Sequence, residues 1–169
     1  MLATGTANAP GLELITTQTI GSAVSSVTVS NCFSSGFARY KITVSGGVAS
    51  ATMDIQMTLG SANTGYYGFL TYGSYSSNTV NGYGQNNAAF WGYVGAGTTD
   101  ALHGNCEVDN PFDTKRSFVT AQTAVGVTTS AASTFSGYLN NNTSYSSFTL
   151  TASTGTMTGG TIRVYGYKN

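Results

Sequence analysis

The sequence predicts an all-β fold, a two-sheet sandwich of jelly-roll type with essentially no long helix. Three observations carry this. Apolar and polar side chains alternate over short runs, the two-residue period of a strand with one face on a core, and no window sustains a 3.6-residue period. The runs are separated by clusters of Gly, Asn and Ser at regular intervals, the turn chemistry of antiparallel sheets. Only 7% of the 169 residues are charged, against roughly 25% in ordinary globular proteins, while 40% are hydrophobic and 12% aromatic. That balance excludes a disordered chain. Nine or ten short strands are expected, and a jelly roll hides most of their edges.

In chain order, residues 1–11 are small and polar, end in Pro10-Gly11, and read as an N-terminal arm. Residues 12–169 read as a single domain. Leu12-Glu13-Leu14-Ile15-Thr16 begins the first strand, Gly21-Ser22 breaks it, and Val27 and Val29 alternate with Ser26, Thr28 and Ser30 in the next. Tyr40, Ile42 and Val44 face one way, and Arg39, Lys41, Thr43 and Ser45 the other. After Gly46-Gly47, Met53, Ile55, Met57 and Leu59 alternate with Asp54, Gln56 and Thr58. The spacing predicts that residues 39–59 form an antiparallel pair. Between Gly60 and Gly97, strands are expected at Tyr66 to Tyr72 and Ala88 to Val94, with a long loop between them. His103 to Asn110 is a strand that Pro111 ends. Ser117 to Val127, Thr134 to Leu139 and Tyr145 to Ala152 supply three more. In the last run, Ile162 and Val164 alternate with Thr161, Arg163, Tyr165 and Tyr167. This closing strand is expected to pair between strands laid down earlier.

Six basic and six acidic residues, scattered singly, give zero formal net charge. No basic footprint for nucleic acid or an anionic membrane is present, so neither is expected as a partner. A neutral, charge-poor surface instead favours contact with other protein. Cys32 and Cys106 lack metal-ligand spacing and read as two buried thiols. The first ten residues carry no basic, apolar leader, and cytoplasmic synthesis is expected. Glu107 and Asp109 share a strand face, with Asp113 beyond the turn. They do not supply the two facing carboxyls of a glycosidase or the convergent oxygens of a calcium site, and are expected to pair with Lys115 or Arg116. His103 is the lone histidine, with no nucleophile–base partner in view. No enzymatic activity, cofactor or metal is expected.

Three segments carry a family resemblance: Asn31-Cys32-Phe33-Ser34-Ser35 leading to Tyr40-Lys41-Ile42-Thr43-Val44; Gly104-Asn105-Cys106-Glu107-Val108-Asp109-Asn110-Pro111; and Gly160-Thr161-Ile162-Arg163-Val164-Tyr165-Gly166-Tyr167-Lys168-Asn169. In order and spacing they resemble β-rich virion structural domains of tailed bacteriophages, especially marine and cyanobacterial phages. The resemblance spans roughly residues 12–169. It implies a non-enzymatic protein made in the host cytoplasm, carried on the particle surface and commonly a homotrimer. The short arm is more like a unit seated on a capsid shell than a tail-fibre chain. The expected function is therefore a capsid decoration, or cement, protein that bridges subunits of the major capsid protein. The alternative is a tail-fibre tip or head fibre that recognises host surface glycan.

The aromatic, glycine-rich stretch 65–93 is the candidate contact region. Tyr66, Tyr67, Tyr72, Tyr75, Tyr83, Trp91 and Tyr93 offer flat rings that stack on sugars or anchor a protein interface. Tyr66, Phe69, Phe90 and Trp91 read equally well as core aromatics, whereas Tyr75 and Tyr83, flanked by Ser, Asn and Gly, read as exposed. Arg39, Lys41 and Arg163 are candidates for ion pairs with a shell protein.

Overall fold

Alternation of side chains along the strands decides which face of each is buried, and the fold follows from pairing those faces. The computed structural model describes residues 11–124 and 131–168, and these form strands and no helix. In order they are β1 (Gly11–Thr19), β2 (Ser26–Val29), β3 (Arg39–Ser45), β4 (Val48–Ala49), β5 (Met53–Leu59), β6 (Tyr66–Ser74) and β7 (Val80–Ala88). After these come β8 (Trp91–Gly97), β9 (Leu102–Asp109), β10 (Ser117–Thr123), β11 (Ala131–Leu139), β12 (Phe148–Ala152), β13 (Met157–Thr158) and β14 (Thr161–Lys168). The expected arm falls on residues 1–10, outside the described residues, and Gly11 already belongs to β1.

The strand order is that of a jelly roll. One sheet runs β1-β14-β3-β9 and the other β2-β12-β5-β8, all antiparallel. The last strand therefore lies between the first and the third, with Leu14 opposite Tyr165 and Tyr165 opposite Lys41. The two sheets stay hydrogen-bonded to each other through β9. Its far edge is shared, residues 102–104 pairing with β8 and residues 106–109 with β10.

Two inserted hairpins enlarge this frame. β6–β7 enters between β5 and β8, and β10–β11 between β9 and β12. They join side by side, so the first sheet grows to β1-β14-β3-β9-β10-β11-β6-β7. β7 is its terminal strand. It carries neither charge nor proline, and one edge has no neighbour among the described residues.

The core fills the space between the inner faces. Tyr40, Ile42 and Val44 of β3, Ile55, Met57 and Leu59 of β5, Phe148 and Leu150 of β12, and Ile162 and Val164 of β14 are all buried. The inserted hairpins add Val119, Phe135, Leu139, Tyr66 and Leu70, and these close over Trp91 of β8, whose ring meets Tyr66 edge-on at 5.1 Å. Burying each large apolar side chain contributes about 1.5–3 kcal/mol. Cys32 and Cys106 are buried and unbridged, and burial pushes both thiols up to about 12.

Two expectations fail here. Residues 39–45 and 53–59 do not pair with each other; β3 lies between β14 and β9, and β5 between β12 and β8. Gly46-Gly47 leads into the short β4–β13 ribbon and across to the other sheet. A Cβ on Gly47 (φ +76°) would sit 2.4 Å from the Gly159 carbonyl oxygen, so two diglycine turns press together there and admit no side chain. The long loop expected inside 65–93 is the β6–β7 hairpin, turning at residues 75–79.

Candidate functional site

Two surfaces gather side chains that the core does not use. The first is the outer face of the enlarged sheet. The register aligns Leu14, Tyr165, Lys41, Glu107, Thr120, Ser136 and Phe69 in one row across seven strands. A neighbouring row holds Leu12, Tyr167, Arg39, Asp109, Phe118, Tyr138 and Tyr67. Leu12 (48%), Leu14 (52%), Phe118 (45%) and Phe69 (56%) are exposed. Tyr67 stacks on Tyr138 at 5.0 Å, and the Arg116 guanidinium lies over the Tyr138 ring at 5.5 Å.

Most charges on this face meet an opposite one, while Lys41 forms no ion pair among the described residues. Arg39 pairs with Glu107 and, at 3.4 Å, with Asp109, and it lies over the Tyr167 ring at 5.4 Å. Tyr167 donates its hydroxyl to Glu107. Burial pulls the Glu107 carboxyl upward, but the donors from Tyr167 and Arg39 outweigh it and hold the group below its usual value. Lys168 pairs with Glu13 at 2.9 Å. The expected pairing of Glu107 and Asp109 with Lys115 or Arg116 is thus replaced by Arg39; Lys115 meets Asp113 instead. Arg39 is satisfied within the chain, and Arg163 donates to the Ser45 hydroxyl at 3.0 Å.

The second surface is a cleft of about 280 Å³ lined by Asp54, Gln56, Tyr83, Gln85, Phe90, Gly92, Tyr93 and Ser153. β5 presents Asp54 and Gln56 on the side away from its buried Met53, Ile55 and Met57. The backbone of Asp54 is held by Ser153, whose hydroxyl accepts its N–H and whose own N–H donates to its carbonyl, both at 3.0 Å. β7 supplies Tyr83 and Gln85. Gln85 accepts the Gly92 N–H at 2.9 Å, and a Cβ on Gly92 would lie 2.8 Å from the Gln85 amide nitrogen. Tyr83 meets Tyr93 edge-on at 6.2 Å, and Tyr93 packs in turn on Phe135 at 5.7 Å. The Asp54 carboxylate is half-buried without an ion pair or hydrogen bond among the described residues, and burial pushes it up to about 6. An uncompensated carboxyl in a cleft marks a functional site more often than a structural one. The larger troughs on the other sheet are lined mainly by Thr and Ser, and their one carboxylate, Glu107, is already paired.

The seven expected contact residues are scattered among several surroundings. Tyr66 and Trp91 are fully buried and present no surface for contact; the Tyr66 hydroxyl donates to the Ala62 carbonyl at 3.3 Å and accepts the Leu59 N–H at 2.8 Å. Tyr67 belongs to the outer face and Tyr72 packs half-buried against the core. Tyr75 caps the hairpin turn, with its hydroxyl 3.3 Å from the Ala124 carbonyl. Tyr83 and Tyr93 meet in the cleft. Phe69, equally readable as core, is exposed because its parity on β6 is opposite to that of Tyr66 and Leu70. Sequence reasoning missed Asp54, Gln56, Gln85 and Ser153. Alternation marked Asp54 and Gln56 as outward, but nothing local tells which strand passes in front of them.

Chemically, the outer face offers apolar and aromatic contact among charges that are mostly paired, and the cleft offers one carboxylate, amides and rings. Hydrolysis of a glycoside needs two carboxyl groups about 5–10 Å apart, and one lines this cleft. Comparison of the chain with protein-family models, curated proteins and solved structures finds no match.

Proposed function

We propose that this protein is a structural component of a bacteriophage virion, a capsid decoration protein that oligomerises as a homotrimer on the head and bridges subunits of the major capsid protein. The observation that carries this reading is the outer face of the enlarged sheet, where Leu12, Leu14, Phe118 and Phe69 stay exposed while Arg39 bridges Glu107 and Asp109 and Lys168 pairs with Glu13. Protein interfaces favour such a surface, rich in aromatics and poor in free charge at its centre. Stabilisation of the shell would follow from mass action, since a subunit that binds only the assembled lattice favours that lattice. The test is to purify phage with and without the protein and heat both. Loss of DNA at lower temperature from the deficient particles is expected; identical release curves, or absence of the protein from purified particles, overturn the reading.

A second placement, a tail-fibre tip or head fibre that recognises host surface glycan, draws on the exposed Tyr75 and Tyr83 of the β6–β7 hairpin. Gold labelling of intact phage separates the two, by marking heads in one case and fibre ends in the other.

A further inference from the structure

We infer that the Asp54 cleft is a binding site for one neutral, hydroxyl-rich sugar ring, seated against Tyr83 and hydrogen-bonded to the Asp54 carboxylate and the Gln56 and Gln85 amides. This deepens the glycan reading of the hairpin and is independent of the shell reading.

The size, the donors and acceptors, and the rings agree on this class of ligand. A cavity of about 280 Å³ falls just below the 300–1,000 Å³ of drug-sized pockets, so it takes a single ring rather than an extended ligand. Gln85 already uses its carbonyl oxygen on the Gly92 N–H, which leaves its amide NH₂ as a donor, while the Asp54 carboxylate only accepts. Acceptor and donor side by side match hydroxyl groups, which do both. A cation is matched less well, because the free amide NH₂ of Gln85 meets it with like polarity. A sugar needs one open ring face, and Tyr83, 57% exposed, supplies it.

The cleft has the construction of a site. The Asp54 backbone is fixed by two hydrogen bonds to Ser153, and Gly92 leaves the space into which Gln85 fits. The Asp54 carboxylate receives nothing from the fold in return for its burial. Its oxygens stay open to the cleft, where a ligand hydroxyl can take the place of water.

Ligand-observed NMR with methyl hexopyranosides (gluco, galacto and manno), at concentrations up to about 50 mM, tests this on the whole protein. Saturation transfer to at least one of them is expected, with affinity falling about tenfold or more in both Asp54→Asn and Tyr83→Ala. The Tyr75→Ala variant, altered at the hairpin turn outside the cleft, should bind as the parent does. Binding lost in Tyr75→Ala but kept in Asp54→Asn leaves the hairpin as a glycan reader and overturns the cleft. No binding by any of the three glycosides overturns both. Binding of choline or arginine amide, with no response to the glycosides, replaces the sugar by a cation and equally overturns the inference. The amide spectrum of each variant shows that it is folded.

Discussion

The eight strands of the jelly-roll frame and the four strands inserted into it obey the same alternation but use it differently. In β3, β5, β9 and β14 every second residue is buried, and the outward ones are polar, charged or, in β14, tyrosine. In the inserted β6, β7 and β10 the outward positions hold Phe69, Val80 and Phe118, all exposed, and β7 is open along most of its length. The frame therefore holds most of the core, while the insertions, together with Leu12 and Leu14 of β1, hold the unused contact surface. A rigid scaffold carrying variable hairpins is how folds commonly separate these duties.

Several changes sharpen or break that contrast. Trp91→Ala, inside the seam where the insertion covers the frame, should cost about 3–5 kcal/mol, read as a fall in urea midpoint. Phe69→Ala, on the exposed side of that insertion, should stay within about 0.5 kcal/mol; equal losses at the two positions would erase the distinction. Gly47→Ala combines a left-handed backbone with a contact on the Gly159 carbonyl, and is expected to cost about 2–4 kcal/mol in the same measurement.

Asp54→Asn should act in the opposite direction. Burial raises the native carboxyl to about 6 from 3.8, so between these values the native state holds the proton and the unfolded state does not. The contribution is fully present below the unfolded value and is lost as pH rises through about 6, where the ionised group is buried without a partner. The variant should match the parent near pH 3.5 and exceed it by about 1–2 kcal/mol at pH 7.5, the lower end reflecting partial solvent access. Burial lowers His103, which works in the reverse sense, so the difference between variant and parent isolates Asp54. A pH-independent difference would show that Asp54 is not desolvated. The smallest stability effect is expected for Leu14→Ser with Phe118→Ser, under about 0.5 kcal/mol by urea titration, although binding to phage heads lacking the protein should fall at least tenfold.

Much of the frame was legible because burial on one face writes a period of two into Tyr40-Ile42-Val44, Met53-Ile55-Met57-Leu59 and Ile162-Val164. That the last strand lies between earlier ones was also readable, since a closing strand needs partners already laid down, but which strands those are was not. The pairing of residues 39–45 with 53–59 was misread, because adjacency in sequence stood in for adjacency in space. In a jelly roll the chain crosses between sheets at that point, and the Gly46-Gly47 turn looks locally like a hairpin. β7 was read as loop for a different reason. Asn81, Gly82, Gly84, Asn86 and Asn87 bury no side chain, so a terminal strand leaves no apolar period to find. The cleft joins residues near positions 54, 85, 92 and 153, and no local pattern announces a meeting over that span. Within the aromatic stretch 65–93 the sequence could not separate buried Trp91 from exposed Tyr83, whose difference is one of strand parity and register.

The bare edge of β7 bears on how the protein behaves in the test tube. Its outward amide and carbonyl groups are unpaired among the described residues and, with no lysine or proline to repel a visitor, form a template on which another chain's strand can add. Concentrated stocks should therefore thicken with time, and a lysine placed at Asn81 should keep them clear.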